Sequence, residues 1–262
     1  MRFAVSAVQC RVGGRDSFKS AEKIISTSKS SLYLLPEYFS YPVGDRSLET
    51  SEKTLEWLEK MSREHSTVIA GNIIRKGDDG YYNTLYIFHS GDLIGYQDKI
   101  HPTMSERELG IKCGKKLEIF EISGVKISVL ICADILYPEL CRIPGLRKVD
   151  IVLNPVVSFK KSELPAQEYR YCLYFTRSFD NSYAIVKAGG FGKTFLGEMC
   201  VGRSLISMPD GIVAKYSNEE REEIVSAEID LKKLEEFRKV NYSLRDRNPE
   251  ALRDLLGGGI EC

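Results

Sequence analysis

No stretch of this 262-residue chain approaches the ~20 consecutive apolar residues that a bilayer-spanning helix needs. Charge of one sign is missing as well. Lys plus Arg total 37, Asp plus Glu total 37, and no basic run exceeds two residues. A balanced surface has no global field to draw in nucleic acid or an anionic membrane, so neither is expected as a partner. Histidine is scarce, with only His65, His89 and His101, scattered along the chain, which gives little support to a Cys–His pair of the protease kind. The seven cysteines are odd in number and contain no CxxC, so they suggest neither a disulfide framework nor a tetrahedral zinc site. Free thiols of this kind fit a reducing cytoplasm. No GxSxG elbow, Walker A loop, HExxH or GxGxxG occurs. The opening MRFAVSAVQC alternates like a strand and is too short for a signal-peptide core.

What is present is an interleaving of short apolar strands with amphipathic helices. RFAVSAVQ, LYLL, STVIAGNII, YYNTLYIFHS, GDLIGYQDK, DIVLNP, YAIVKAG, VGRSLISM, GIVAKY and EEIVSAEID read as strands, with KGDDG, SGD and Pro209-Asp210-Gly211 as turns. LEIFEISGVKISVLIC reads as a hairpin turning at Ser123-Gly124. Helices are expected after Asp16 or Ser17 as N-cap, around Leu55, Leu58 and Met61, from Ala166 to about Ser178, and over LKKLEEFRKV. PELCRIPGL reads as a short helical or irregular piece. This order suits two sheets packed face to face with helices outside them. Neither a repeat nor a linker divides the chain, which points to one domain over residues 1–262 with a flexible tail from about 256.

Three of the strand-like runs end on groups that can do chemistry. LYLLPE ends on Glu37, GDLIGYQDK on Lys99, and VKISVLIC on Cys132. Reactive groups gather at the carboxyl ends of strands in open α/β sheets. Taken singly, each has a plainer explanation. A cysteine closing an apolar strand is usually a small buried hydrophobe, a lysine there is usually solvated, and Pro-Glu is often a turn. Together they form a carboxylate, an ammonium and a thiol, a set sufficient to attack a carbon bonded to nitrogen. With so few histidines, Glu37 is the obvious base for the thiol. His101 lies beside the Lys99 strand end, where a structural role is expected.

The segments LLPEYF, DKIHPT and ICADILYPE, in this order and at these intervals, resemble the three catalytic segments of the nitrilase superfamily of carbon–nitrogen hydrolases. RFAVSAVQC, RSFDNSYAIVKAG, GRSLISMPDGIVAKY, IVSAEIDL and LRDRNPEAL also resemble blocks of that family, so the likeness covers nearly the whole chain. It implies an α/β fold of the α+β type, a four-layer α-β-β-α sandwich, paired into a homodimer or higher homo-oligomer. It also implies Glu37 as general base, Lys99 as the oxyanion-stabilising lysine and Cys132 as nucleophile. A second glutamate follows the lysine in many members; Glu106 and Glu108 both compete, and the form HPT-x-x-E favours Glu106. Ala133, Asp180, Gln97-Asp98 and Arg203 depart from common family patterns and bear on substrate class.

The function this resemblance implies is hydrolysis of a linear amide or carbamoyl compound through a cysteine thioester, without metal or organic cofactor. Alternatives are a nitrilase that releases ammonia from a nitrile, or a catalytically silent relative serving as a binding module. Tyr38, Ala133, Asp134, Tyr137 and Asn154 are the candidates for contact with the small-molecule substrate. Phe39 and Phe191 are further possibilities. Arg203 could meet a substrate carboxylate or pair with an acidic residue at a dimer interface.

Overall fold

The computed structural model describes residues 1–14, 16–160 and 167–250. Two six-stranded sheets dominate it. The first runs in the order Glu223–Asp230, Arg2–Gln9, Leu32–Leu34, Val68–Lys76, Tyr81–His89, Asp92–Asp98. The second runs Gly211–Lys215, Leu205–Met208, Ala184–Gly189, Ile151–Val156, Val125–Val129, Ile119–Ile122. Each has three parallel strands at its centre and antiparallel strands at its edges. The two sheets are therefore built alike.

Parallel central strands are covered on both faces, which is why they read as continuous apolar runs rather than alternating ones. The pleat still sorts them. In the first sheet, Val5, Ala7, Leu32, Leu34, Val68 and Ala70 face the second sheet and meet Ile127, Val129, Ile151, Leu153, Ala184 and Val186. The intervening Val8, Tyr33 and Ile69 turn outward onto helices Asp16–Ile25 and Leu48–Glu64, packing with Ile24, Ile25, Leu58 and Met61. On the far side Val152, Ile185 and Leu205 pack with Leu140, Cys141 and Tyr174 of helices Pro138–Leu146 and Gln167–Asn181. The result is the expected four-layer α-β-β-α sandwich.

Local expectations hold with some corrections. The hairpin turns at Ser123 and Gly124, both with positive φ, 51° and 76°. PELCRIPGL is a helix despite Pro144. The helix expected from Ala166 spans Gln167–Asn181, and Ala166 itself lies outside the described residues. Asp16 and Ser17 stand inside the first turn of their helix rather than at its cap. A small third sheet of Arg11–Val12, Phe191–Lys193 and Met199–Cys200 was not evident from pattern, because strands of two or three residues carry no periodicity. The tail from about 256 lies outside the described residues. Among the described residues, no helix is long and apolar enough to cross a membrane.

One close approach ties this frame to its strand ends. A Cβ on Gly190 would lie 2.3 Å from a Val12 methyl, 2.9 Å from the Cys10 carbonyl oxygen and 3.2 Å from Pro36, the residue before Glu37. Gly190→Ala is expected to lose about 1–3 kcal/mol of stability, as overpacked sites do. Urea denaturation measures it, and an unchanged midpoint would refute the tightness of this approach.

Candidate active site

The carboxyl ends of central strands from both sheets meet around Glu37, whose carboxylate accepts from the Lys99 ammonium on one side and the Val157 N–H on the other. Leu35 N–H still pairs with Ala70, and the chain then leaves the first sheet to carry Glu37. Lys99 follows Asp98 directly, its N–H bonded to the Asn83 carbonyl. In the second sheet Leu130 N–H bonds the Leu153 carbonyl, and the chain turns at Cys132 into a short 3₁₀ helix, Cys132–Leu136. Cys132 has φ 49° and Tyr38, next to Glu37, has φ 54°. Left-handed backbone at non-glycine residues costs of order 1–3 kcal/mol each and must be held by its surroundings.

Lys99, Glu37 and Glu106 are almost fully buried, at 1%, 3% and 3% exposure. Lys99 Nζ donates to Glu37 Oε1 at 2.9 Å and to Glu106 Oε2 at 2.7 Å. Asn83 Nδ2 donates to both carboxylates, 2.8 Å each, and its own Oδ1 accepts from Asn72 Nδ2 at 2.9 Å. The second oxygen of Glu37 accepts the Val157 N–H at 3.1 Å, from the end of a strand in the opposite sheet. Tyr38 OH donates to Glu106 Oε1 at 2.8 Å. Cys132 is half-buried, and Glu37 and Lys99 are the charged groups that act on its thiol.

Glu106 is placed by local chemistry. Thr103 caps the short helix Met104–Glu108, and the Glu106 carboxylate reaches back to the Thr103 N–H at 2.8 Å, closing a capping box. Its competitor Glu108 is exposed.

The charges are not shared evenly. Burial would raise the Glu106 pKa, but Lys99 and the hydrogen bonds from Thr103 and Asn83 outweigh it and hold the carboxyl below its ordinary value. For Glu37 burial wins, with the Glu106 charge adding to it against Lys99, so its pKa is raised. Burial would strip the Lys99 proton, but Glu37, Cys132 and Glu106 keep it firmly ammonium. Burial and the Glu37 charge together push the Cys132 thiol well up. Glu106 is thus held as the anion, and Glu37 is the carboxyl with the higher proton affinity.

The other residues expected here make the following contacts within the protein. Asp134 is fully buried, and both its oxygens are taken up. Oδ1 accepts the His101 N–H at 2.8 Å and faces His101 Nδ1 at 3.1 Å, while Oδ2 accepts the Ile100 N–H at 3.2 Å and the Ile131 N–H at 3.1 Å. It clamps the turn bearing Cys132 to the segment after Lys99. Asn154 is also buried. Its amide donates to the carbonyls of Leu130 and Cys132, and its Oδ1 accepts from Tyr174 OH at 2.8 Å. Tyr38 is spent on Glu106. Tyr137 stacks on His101 with ring centroids 3.7 Å apart, which gives that histidine the structural role expected of it. Ala133 is half-buried in the first turn of the 3₁₀ helix, where backbone N–H groups have no partner within the helix. Arg203 pairs with Glu219 of the same chain, at 2.6 and 3.2 Å. Phe191 lies under Arg11, and Phe39 is buried between Phe18 and Trp57.

Sequence reasoning passed over Asn83, Asn72, Thr103 and Val157. The signal for the asparagines was present. Each interrupts an apolar strand, and a polar side chain in such a strand must find a partner inside. Among the described residues no group of three or more His, Cys, Asp and Glu side chains is arranged to hold a metal ion.

Known proteins match most of this chain in sequence and in fold. The carbon-nitrogen hydrolase family model matches residues 15–239. A probable nitrilase of Schizosaccharomyces pombe is 30% identical over 249 residues, 90% of this chain and 89% of its own. The 2-oxoglutaramate amidase of Bacillus subtilis is 28% identical over 253 residues, 91% of this chain and 95% of its own. A carbon-nitrogen hydrolase from Helicobacter pylori superposes with TM-score 0.85 at 21% identity, covering 98% of each chain. A variant of the amidase from Nesterenkonia sp. AN1, carrying the acetamide moiety of fluoroacetamide on its active site cysteine, superposes with TM-score 0.80 at 18% identity and 96% coverage of each chain. The chain belongs to the carbon–nitrogen hydrolase family, as an amidase-like member of the nitrilase superfamily.

Proposed function

We propose that this hydrolase cleaves the carbon–nitrogen bond of a linear amide or carbamoyl compound through a thioester on Cys132. The observation that carries the reading is the buried Glu37 carboxylate, bonded to the Lys99 ammonium at 2.9 Å and charge-coupled to the Cys132 thiol. Named relatives of the chain include amidases, and in the Nesterenkonia amidase the active site cysteine accepts an acetamide group, which supports a sulfur nucleophile here.

The thiol is not activated by a lowered pKa, as in thiolate enzymes. It keeps its proton and needs a base at the moment of attack. Glu37, ionised but with a raised pKa, takes that proton as sulfur bonds the carbonyl carbon. The oxyanion meets the Lys99 ammonium and the Ala133 N–H; removing one such donor typically costs roughly 3–4 kcal/mol. Glu37 returns the proton to the departing nitrogen, then activates the water that hydrolyses the thioester. Glu106, held by Thr103, Tyr38 and Asn83, fixes Lys99 and keeps the Glu37 proton affinity high. The cycle is written without metal or cofactor. We place it in the cytoplasm, where free thiols persist, and in a homodimer or higher homo-oligomer, as the family resemblance implies.

Cys132→Ala is expected to abolish ammonia release from amides and carbamoyl compounds with the fold intact, and Cys132→Ser to be nearly as inactive. Mass spectrometry of the wild type with a fluoroacetamide-type reagent should place the adduct on Cys132; a label on Cys10 or Cys113 would sink the assignment.

Activity requires ionised Glu37, so it is lost as pH falls through that raised pKa. The acid limb of kcat/KM therefore lies above the ordinary carboxylate range. Glu106→Gln removes the like charge that raises Glu37, so the limb should move to lower pH while kcat falls. An unmoved limb would reduce Glu106 to a purely structural part.

Asp134→Asn preserves shape but turns an N–H toward backbone N–H groups whichever way the amide points. We expect a loss of about 1–3 kcal/mol in stability, read by denaturation, with lower kcat because the Cys132 turn is no longer clamped. Wild-type behaviour in both would refute the clamp.

A further inference from the structure

A chain of hydrogen bonds runs from a helix to the nucleophile turn, and the chemistry above does not use its far end. Tyr174, on helix Gln167–Asn181, is 4% exposed. Its hydroxyl donates to Asn154 Oδ1 at 2.8 Å. Asn154 is buried on strand Ile151–Val156, and its amide nitrogen spends both protons, one on the Leu130 carbonyl and one on the Cys132 carbonyl at 3.3 Å. The Cys132 carbonyl shares a peptide with the Ala133 N–H, the donor that the oxyanion is to meet. Among the described residues no peptide bond is cis. A trans peptide points its N–H opposite to its C=O, so the hold of Asn154 on the carbonyl also sets the direction of the Ala133 N–H.

Every link runs the same way. A hydroxyl donates to an amide oxygen, that amide donates to a peptide carbonyl, and the same peptide donates outward through Ala133. Two amide groups therefore stand in series, each accepting at oxygen and donating at nitrogen. Hydrogen bonds chained in this manner polarise one another, most of all in an interior of low dielectric. The first donor is secure. Burial, then the charge of Cys132, raise the Tyr174 pKa well above that of an ordinary phenol, so the hydroxyl keeps its proton. Without that hydroxyl, Asn154 Oδ1 would be buried and unpaired, and the amide would lose the partner that fixes its plane.

We propose that Tyr174 is a positioning residue for the oxyanion, orienting and polarising the Ala133 N–H through Asn154. This rests on the amidase reading and adds to it a residue that acts on the transition state without touching substrate.

The test is Tyr174→Phe, measured in two ways. The first is ammonia release from the linear amide that the wild type turns over fastest. Formation and hydrolysis of the thioester both pass through an oxyanion absent from bound substrate, so kcat should fall while KM stays unchanged. The fall should be roughly tenfold, short of the hundredfold or more that outright loss of an oxyanion donor costs. The second is the rate at which methyl methanethiosulfonate modifies Cys132, followed by mass spectrometry so that other thiols are not counted. This reagent places a methylthio group on sulfur and forms no oxyanion on carbon, so its rate should match the wild type. A thiolation rate that falls together with kcat would mean that Tyr174 only holds the turn, and it overturns the proposal. An unchanged kcat does the same. If the phenylalanine variant does not fold, 3-fluorotyrosine placed at position 174 keeps the shape and makes the hydroxyl a stronger donor. There kcat should rise roughly twofold at constant thiolation, and a kcat that does not move overturns the relay while leaving the amidase intact. A wild type that releases no ammonia from any amide or carbamoyl compound overturns the amidase reading and the relay with it.

Discussion

An ammonium ion that is 1% exposed cannot stand alone in a protein interior. Lys99 is tolerable there because two carboxylates and their own hydrogen-bond donors surround it. The trio carries one more negative charge than positive, and that surplus is what the site uses. Removing either partner from a buried pair costs about 3–5 kcal/mol, so the group must be built whole or not at all. Asn83 helps make it whole, since one amide group donates to both carboxylates and keeps them apart from mutual repulsion. The division of labour then follows from geometry. Glu106 collects a backbone N–H, a hydroxyl and the ammonium and stays ionised, whereas Glu37 has fewer donors and keeps its appetite for a proton.

A second constraint is conformational. Both Tyr38, the residue after Glu37, and Cys132 adopt left-handed backbone. Strain of this kind persists only where the surroundings over-determine it. Asp134 and Asn154 supply that: one gathers the N–H groups of Ile100, His101 and Ile131, the other the carbonyls of Leu130 and Cys132. Each stands near the catalytic groups in sequence or at a strand end, so proximity suggested contact with substrate. In the structure the polar atoms of both side chains are taken up by this bracing.

How legible the site was depended on how local its causes are. Glu106 was preferred over Glu108 on the family form HPT-x-x-E, and the structure shows that Thr103 and Glu106 close a capping box there, a pattern whose physics is complete within four residues. The hairpin at Ser123-Gly124 was legible for the same reason. Asn72 and Asn83 were visible as polar interruptions, but their partners lie on other strands. Arg203 was left open between a substrate anion and an acidic residue across a dimer interface, and the partner found is in its own chain. Glu219, sixteen residues away, answers part of that question, because a turn after Gly211–Lys215 brings it back.

The amino-acid order alone determined the alternation of apolar strands and amphipathic helices, the ends at which Glu37, Lys99 and Cys132 fall, and the cap that turns Glu106 inward. Those follow from periodicity and from hydrogen bonds between near neighbours. Only the tertiary structure decided which carboxyl keeps a raised proton affinity, that Asp134 and Asn154 brace the backbone, and that Tyr174 stands behind Asn154. Such properties belong to the dielectric and the charges around a group, and those are assembled from two sheets and their helices, at separations that no window of sequence contains.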